Sequence, residues 1–235
     1  MNNNIDVLAF GAHPDDVELG CGGTVAKLVS QGRGVGIIDL TRGELGTRGT
    51  ADIRDKEATK AAKVLGVTFR HNMNFRDAFF ENNESNQLEI IKVLRYHRPQ
   101  IVLANAIEDR HPDHKKASEL VSHACFLSGL PKIDTGQDAW RPLAVYHYIQ
   151  FHELEPHFVV DVSGFMERKM EAVSAYASQF YDANSKEPQT IISTKSFLES
   201  VRYRAANLGR LSMVDFAEGF TTEKPVVVDS VFNIS

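Results

Sequence analysis

The chain has 235 residues, of which 43% are hydrophobic and 24% charged, a composition that supports a sizeable core and excludes global disorder. With 26 Lys+Arg against 31 Asp+Glu the net charge is −5, which argues against a general nucleic-acid surface and hence a nucleic-acid partner. No apolar run approaches the ~18 residues of a membrane span. No basic stretch followed by an apolar one opens the chain, and two cysteines fit a reducing compartment, so the expected location is cytoplasmic.

No repeat, low-complexity tract or Pro/Gly/Ser linker divides the chain, so one domain over residues 1–235 is expected. Ile5–Phe10, Gly34–Leu40, Val67–Met73 and Ile101–Ala104 read as strands. Between them Val25/Leu28/Val29, Ala58/Ala61/Ala62/Leu65 and Leu88/Ile91/Leu94 form helical stripes. Pro99 helps to end the third helix, and Ala117, Leu120, Val121 and Ala124 mark another that starts near Pro112 or Asp113. Leu143–Gln150 and Phe158–Val162 are further strands. Met166, Met170, Val173, Ala177 and Phe180, at spacings of 4, 3, 4 and 3, predict a helix capped by Ser163. Tyr181–Gln189 reads as a loop, and a last helix runs near Ile192–Leu208 with Gly209 as its stop. Continuous apolar strands alternating with helices indicate a Rossmann-like α/β fold. Its mostly parallel sheet carries helices on both faces, with additional C-terminal strands and helices.

Nine histidines are the compositional oddity, and two clusters concentrate the chemistry. Gly11-Ala12-His13-Pro14-Asp15-Asp16 directly follows the first strand, where ligands of open α/β sheets bind. Glu108-Asp109-Arg110-His111-Pro112-Asp113-His114 follows the fourth strand and opens a helix. Alone, the first reads equally well as a capped helix start with acidic residues in its first turn, and the second reads less well as a polar loop that caps a helix. Together they offer two imidazoles and one carboxylate, His13, Asp16 and His114, a catalytic metal set with a position left open for water. Asp15 is then placed to accept a proton from that water. His111 can stabilise an oxyanion or protonate a leaving amine, with Asp113 as the partner that orients it and favours its charged form. Zn²⁺ and Fe²⁺ both suit these ligands.

Ala12-His13-Pro14-Asp15-Asp16, followed about a hundred positions later by His111-Pro112-Asp113-His114, resembles the PIG-L/LmbE-like family of metal-dependent N-acetylglucosamine deacetylases. Leu40-Thr41-Arg42-Gly43-Glu44-Leu45-Gly46-Thr47 is similar to the family loop after strand two, and Arg54, Glu57 and Ala61-Ala62 through Leu65-Gly66 to the helix after it. Ala217-Glu218-Gly219-Phe220 is similar to the bacillithiol-pathway branch, which deacetylates N-acetylglucosaminyl malate. The resemblance implies metal binding by His13, Asp16 and His114, a general base at Asp15, and charge stabilisation or acid catalysis by His111 supported by Asp113. It also implies substrate contacts at Arg54 and Asp77. Arg42 and Glu44 are added as neighbours, an arginine being the natural contact for a malyl carboxylate. Relatives in that branch often carry a tyrosine in the C-terminal helix where Phe197 stands here, with Tyr203 nearby. The implied partner is a small N-acetylated amino sugar, and a homo-oligomer is expected, since relatives assemble.

Three other readings are weaker. A dinucleotide site lacks the G-x-G-x-x-G spacing and would set Asp15 and Asp16 against a pyrophosphate. A non-haem iron oxygenase shares the ligand set but leaves Asp15 and His111 without a role. A non-enzymatic metal- or sugar-binding protein would need neither residue.

Overall fold

The computed structural model describes residues 5–230 and Phe232. Val7–Gly11 (β1) and Val35–Thr41 (β2) are buried along their whole lengths, as expected for strands covered on both faces. Phe69–Phe75 (β3), Ile101–Ala104 (β4) and Ala144–Tyr148 (β5) extend the same sheet. Phe158–Asp161 (β6) and Ala217–Thr222 (β7) complete it in the order β3-β2-β1-β4-β5-β7-β6. The first five strands in that order pair parallel; β7 runs antiparallel between β5 and β6. The expected mostly parallel α/β architecture with extra C-terminal strands is therefore the observed one.

The helices are Asp16–Ser30 (α1), Ala51–Leu65 (α2), Glu84–His97 (α3), Pro112–Ser128 (α4), Met166–Ser174 (α5) and Lys195–Leu211 (α6). Strand alternation sorts the core into two layers. Val7, Ala9, Val35 and Ile37 pack with Val17, Ala58, Val173 and Val201 of α1, α2, α5 and α6. Leu8, Phe10, Ile38 and Leu40 pack with Ile90, Leu94, Ala117 and Val121 of α3 and α4. No helix among the described residues is long and apolar enough to cross a membrane.

The C-terminal third departs from the sequence-based expectation. Ser163 does not cap α5. It begins a short 3₁₀ turn, and its hydroxyl donates to Asp161 and accepts the Phe216 N–H. The helix stops at Ser174 rather than continuing to Phe180, because tertiary bonds redirect the chain. The Tyr176 hydroxyl reaches Glu18 at 3.1 Å, and the Ser178 N–H and hydroxyl both donate to Glu57 at 2.7 Å. Gly209 lies inside α6 and does not end it. A Cβ there would sit 2.7 Å from the carbonyl oxygens of Val214 and Asp215, so the returning chain demands glycine. Strand β7 has no counterpart in the sequence-based expectation. Its Glu218 breaks the apolar pattern, yet it is buried by Lys169 at 2.5 Å and by the N–H groups of Gly23 and Thr24.

A second close approach fixes the site end of α1. A Cβ on Gly20 would fall 2.1 Å from the Tyr148 ring, whose hydroxyl donates to the Phe10 carbonyl at 2.9 Å. Gly20→Ala is expected to destabilise by about 3 kcal/mol through overpacking, read as a lowered midpoint of thermal unfolding. An unchanged midpoint would show that the helix and the ring can separate freely.

Candidate active site

Because β3, β2, β1, β4 and β5 are parallel, their carboxyl ends share one edge, and each loop leaving that edge carries a polar residue toward one cleft. β1 delivers His13, Asp15 and Asp16; β3 delivers Asp77; β4 delivers Asn105, Asp109, His111 and His114; β5 delivers Gln150 and Phe151. The resulting cavity of about 460 Å³ is lined at its polar end by His13, Asp15, Asp16, Arg54, Asp77, His111 and His114.

The turn between β1 and α1 is held from several sides. The Ala12 N–H donates to the Asn105 side chain at 2.9 Å, and Asn105 Nδ2 donates to Asp16 Oδ2 at 3.0 Å, tying two strand ends together. Asp15 takes a left-handed backbone with φ = +113°, a strained conformation kept where the surroundings over-determine it. Arg54 supplies much of that constraint, donating to the Pro14 and Gly43 carbonyls and to Asp15 Oδ2 at 3.2 Å. Burial pushes the Asp15 carboxyl up to about 7; Arg54 opposes the shift and the neighbouring Asp16 adds to it.

Asp16 stands between two imidazoles. Its Oδ1 lies 3.1 Å from His114 Nε2 and its Oδ2 3.6 Å from His13 Nδ1, while Gln150 Nε2 donates to Oδ1 at 2.8 Å. Burial raises the Asp16 carboxyl, but His114 and His13 outweigh it and hold the group well below the usual carboxylate range. His114 Nδ1 contacts Asp109 Oδ2 at 2.9 Å, the carboxylate–histidine pairing that orients a ligand imidazole. Burial lowers its pKa, but Asp16 and Asp109 carry it up to about 9. His13 Nε2 lies 3.1 Å from Asp77 and 3.3 Å from Asp113; burial lowers its pKa, and Asp113, Asp16 and Asp77 together raise it well above the ordinary value.

The carboxylates of Asp15, Asp16, Asp77, Asp109 and Asp113 thus surround three imidazoles in a buried cleft, a concentration of negative charge that suits a divalent cation. Among the described residues, ligand atoms of His13, His111 and His114 come within 4.8 Å of one another, as do those of His13, Asp77 and Asp113. Asp16 contacts both His13 and His114 directly, one oxygen to each, but the set His13, Asp16 and His114 is not one of the groups whose ligand atoms come that close. A metal could be held here, and the imidazole and carboxylate donors are those of zinc or ferrous iron.

His111 and Asp113 meet differently from the expectation. The Asp113 N–H donates to His111 Nδ1 at 3.3 Å, so His111 caps α4, while the Asp113 carboxylate turns to His13, the Ala78 N–H and Lys116. Asp113 and Asp16 favour a charged His111, but they are outweighed. Burial, then His13 and His114, lower the His111 pKa to about 4, so its ring is neutral, with Nε2–H as its free donor. Burial raises the Asp113 carboxyl, but His13 and Lys116 bring it below the usual carboxylate range.

Of the expected substrate contacts, Arg54 and Asp77 line the cavity and are already engaged, Asp77 by His13 and the Leu45 N–H. Glu44 is exposed and accepts the Asp77 N–H at 2.8 Å. Arg42 is held by Asp52 and Asp55 on the surface and does not line the cavity. Phe197 does line it, stacked between Phe151 and Phe180, whereas Tyr203 is 66% exposed and no lining residue is a tyrosine. His147 contacts Ser118, Asn105 and Glu223, and His152 lies in a neighbouring cavity. Sequence reasoning misses Asn105, Asp109 and Gln150 as orienting groups, although each lies just past the end of a strand whose carboxyl end faces the cleft.

Fold and site together define an α/β protein with an acidic, histidine-bearing cleft at its strand ends that could hold a cation. A family model described as GlcNAc-PI de-N-acetylase, PIG-L, matches residues 8–125. Over 195 residues the chain is 34% identical to the diacetylchitobiose deacetylase of Thermococcus kodakarensis, covering 77% of this chain and 72% of that one. It is 30% identical to a Bacillus anthracis protein described as a probable N-acetyl-alpha-D-glucosaminyl L-malate deacetylase 2, covering 77% and 84%. The solved structure of a conserved protein from Thermus thermophilus matches with a TM-score of 0.88 at 36% identity over 97% of this chain and 98% of that one. The chain belongs to the PIG-L family, the LmbE-like deacetylases.

Proposed function

We propose that the chain hydrolyses the acetamide of an N-acetylglucosaminyl conjugate, and that the conjugate is N-acetylglucosaminyl malate. The observation that carries the reading is the pairing of a strained, buried Asp15, restrained by Arg54, with the His13–Asp16–His114 donor set at the same wall of one cavity. A non-enzymatic sugar- or metal-binding protein has no use for that Asp15 geometry. What supports the malyl substrate is the 30% identical malate-conjugate relative and the likeness of Ala217–Phe220 to that branch. The diacetylchitobiose relative supplies the competing sugar.

In this reading His13, Asp16 and His114 hold zinc or iron. Such a cation, when bound, would supply a Lewis acid that lowers the pKa of water. Asp15 takes the proton of the attacking water as its oxygen bonds to the acetyl carbon. His111 Nε2–H donates to the carbonyl oxygen as negative charge collects there. Asp15 then returns the proton to the amine as the C–N bond breaks, giving acetate and a free amino sugar. Arg54 keeps Asp15 aimed, and Asp113 and Asp77 restrain His13 and its surroundings.

The test is acetate release from N-acetylglucosaminyl malate and from N,N′-diacetylchitobiose, with metal analysis of the same preparation. Preferential release from the malyl conjugate is expected. Preference for diacetylchitobiose would transfer the substrate assignment to that sugar, and no release from either would overturn the deacetylase reading.

A further inference from the structure

The arginines around the cleft are nearly all committed. Arg54 is held by Asp15 and two carbonyls, and Arg48 by Ser178, Pro188 and Ser185. Arg42 pairs with Asp52 and Asp55. Arg204, on the third turn of α6, differs from all of them. It lines both the 460 Å³ active-site cavity and a second cavity of about 360 Å³, as Leu19 and Gln150 do, so it forms part of the wall between them. Among the described residues no hydrogen bond or ion pair engages it. A desolvated guanidinium without a partner is costly, and burial lowers the Arg204 pKa even with Asp109 and Glu153 opposing. Those two carboxylates do not satisfy it: Asp109 is committed to His114 and to the N–H groups of Arg110, Phe151 and His152, and Glu153 is exposed. A second cation lines the active-site cavity, Arg110, which lies 5.1 Å over the Phe151 ring. Acidic residues line both cavities, Asp15, Asp16, Asp77 and Asp109 the first and Glu153, Glu155 and Glu218 the second, but Arg110 lines only the first, which favours an anion on the active-site side of Arg204.

We propose that Arg204, with Arg110 lining the same cavity, is the subsite for an anionic group on the aglycone of the sugar, a carboxylate or a phosphate, paired through the guanidinium fork. The acetamide is at the metal-binding end of the cavity and the anion at the α6 end, so the substrate spans the cleft. The inference rests on the amide-hydrolase reading above and deepens it: Arg204 selects which N-acetylglucosamine conjugate is accepted. It replaces Arg42 and Arg54, the arginines that sequence alone nominates for this contact.

The test compares wild type with Arg204→Met, which keeps length and loses charge, and with Arg204→Lys. KM and kcat are measured for N-acetylglucosaminyl malate and for the neutral N,N′-diacetylchitobiose. Arg204→Met is expected to raise KM for the malyl conjugate roughly 10- to 100-fold, with kcat nearly unchanged. KM for the neutral sugar should stay within about threefold, and Arg204→Lys should recover part of the loss. Equal losses on both sugars, or none on either, overturn the proposal. A separate titration follows binding of L-malate and of inorganic phosphate to the wild type and Arg204→Met proteins. Weakening of either by roughly tenfold or more in the variant supports the subsite, and the tighter anion identifies carboxylate or phosphate as its ligand. Identical binding, or none to wild type, refutes it. If wild type hydrolyses neither sugar, the deacetylase reading fails while this titration still reports on Arg204.

Discussion

Asp15→Asn is expected to reduce turnover by about 10²- to 10⁴-fold, the usual contribution of a positioned general base, while the protein keeps its bound metal. Asparagine is the informative replacement because it tolerates the left-handed backbone that Asp15 adopts at φ = +113°, so the β1–α1 turn need not rearrange. Its amide oxygen can still accept from Arg54, which lies 3.2 Å from Asp15 Oδ2, but the group no longer takes a proton from water. The ligand atoms of His13, Asp16 and His114 are untouched, so metal content measured on the purified variant separates lost chemistry from a lost site. Arg54→Met should follow in weaker form, because it frees the Asp15 carboxylate without removing it. Full activity in Asp15→Asn would remove Asp15 from the mechanism and leave a binding protein as the better reading.

The same turn shows why so much of the site is legible in the sequence. His13 and Asp16 are three residues apart at the end of a fully buried strand, and the parallel sheet brings that strand end beside the one that delivers His114. Local spacing and sheet topology therefore lead to the same cleft, and short-range pattern is enough. Groups that act through long-range partners leave no such trace. Asn105 and Gln150 reach Asp16 from 89 and 134 residues away, and neither belongs to a charged or histidine-bearing motif. Glu218 has the character of a surface residue, yet Lys169 and the α1 backbone bury it, and that partnership hides β7 from a pattern of apolar residues. Arg42 and Arg54 resemble each other as sequence, but only the structure shows that acids on α2 hold Arg42 outward while Arg54 is turned inward onto Asp15. The absence of a partner is likewise invisible in sequence, and for that reason Arg204 emerges only from the packed molecule.

The second large effect concerns which residues would hold a metal. Two donor sets compete around His13 and His114: one completed by Asp16, the other by His111, whose ring stacks 5.2 Å from that of His114. Hydrogen bonding favours the first. Asp16 offers one oxygen to each imidazole and is fixed by Asn105 and Gln150, whereas His111 Nδ1 is already committed to capping α4. Asp16→Ala and His114→Ala are therefore expected to be purified nearly free of metal, with turnover lost in proportion. His111→Ser keeps a side-chain acceptor at the helix cap, so α4 should stay intact. It should retain metal at the wild-type stoichiometry yet lose about 10²- to 10³-fold in kcat, the cost of removing one donor to a developing oxyanion. Asp109→Asn supplies an intermediate case, because it loosens the orientation of His114 without removing a ligand and should weaken metal affinity by roughly 10- to 100-fold. Metal analysis across the four variants decides the matter. If His111→Ser loses the metal and Asp16→Ala retains it, the three-histidine set is the true site. Asp16 would then serve to hold His13 and His114 in register, and the donor to the oxyanion would have to come from another wall of the cavity.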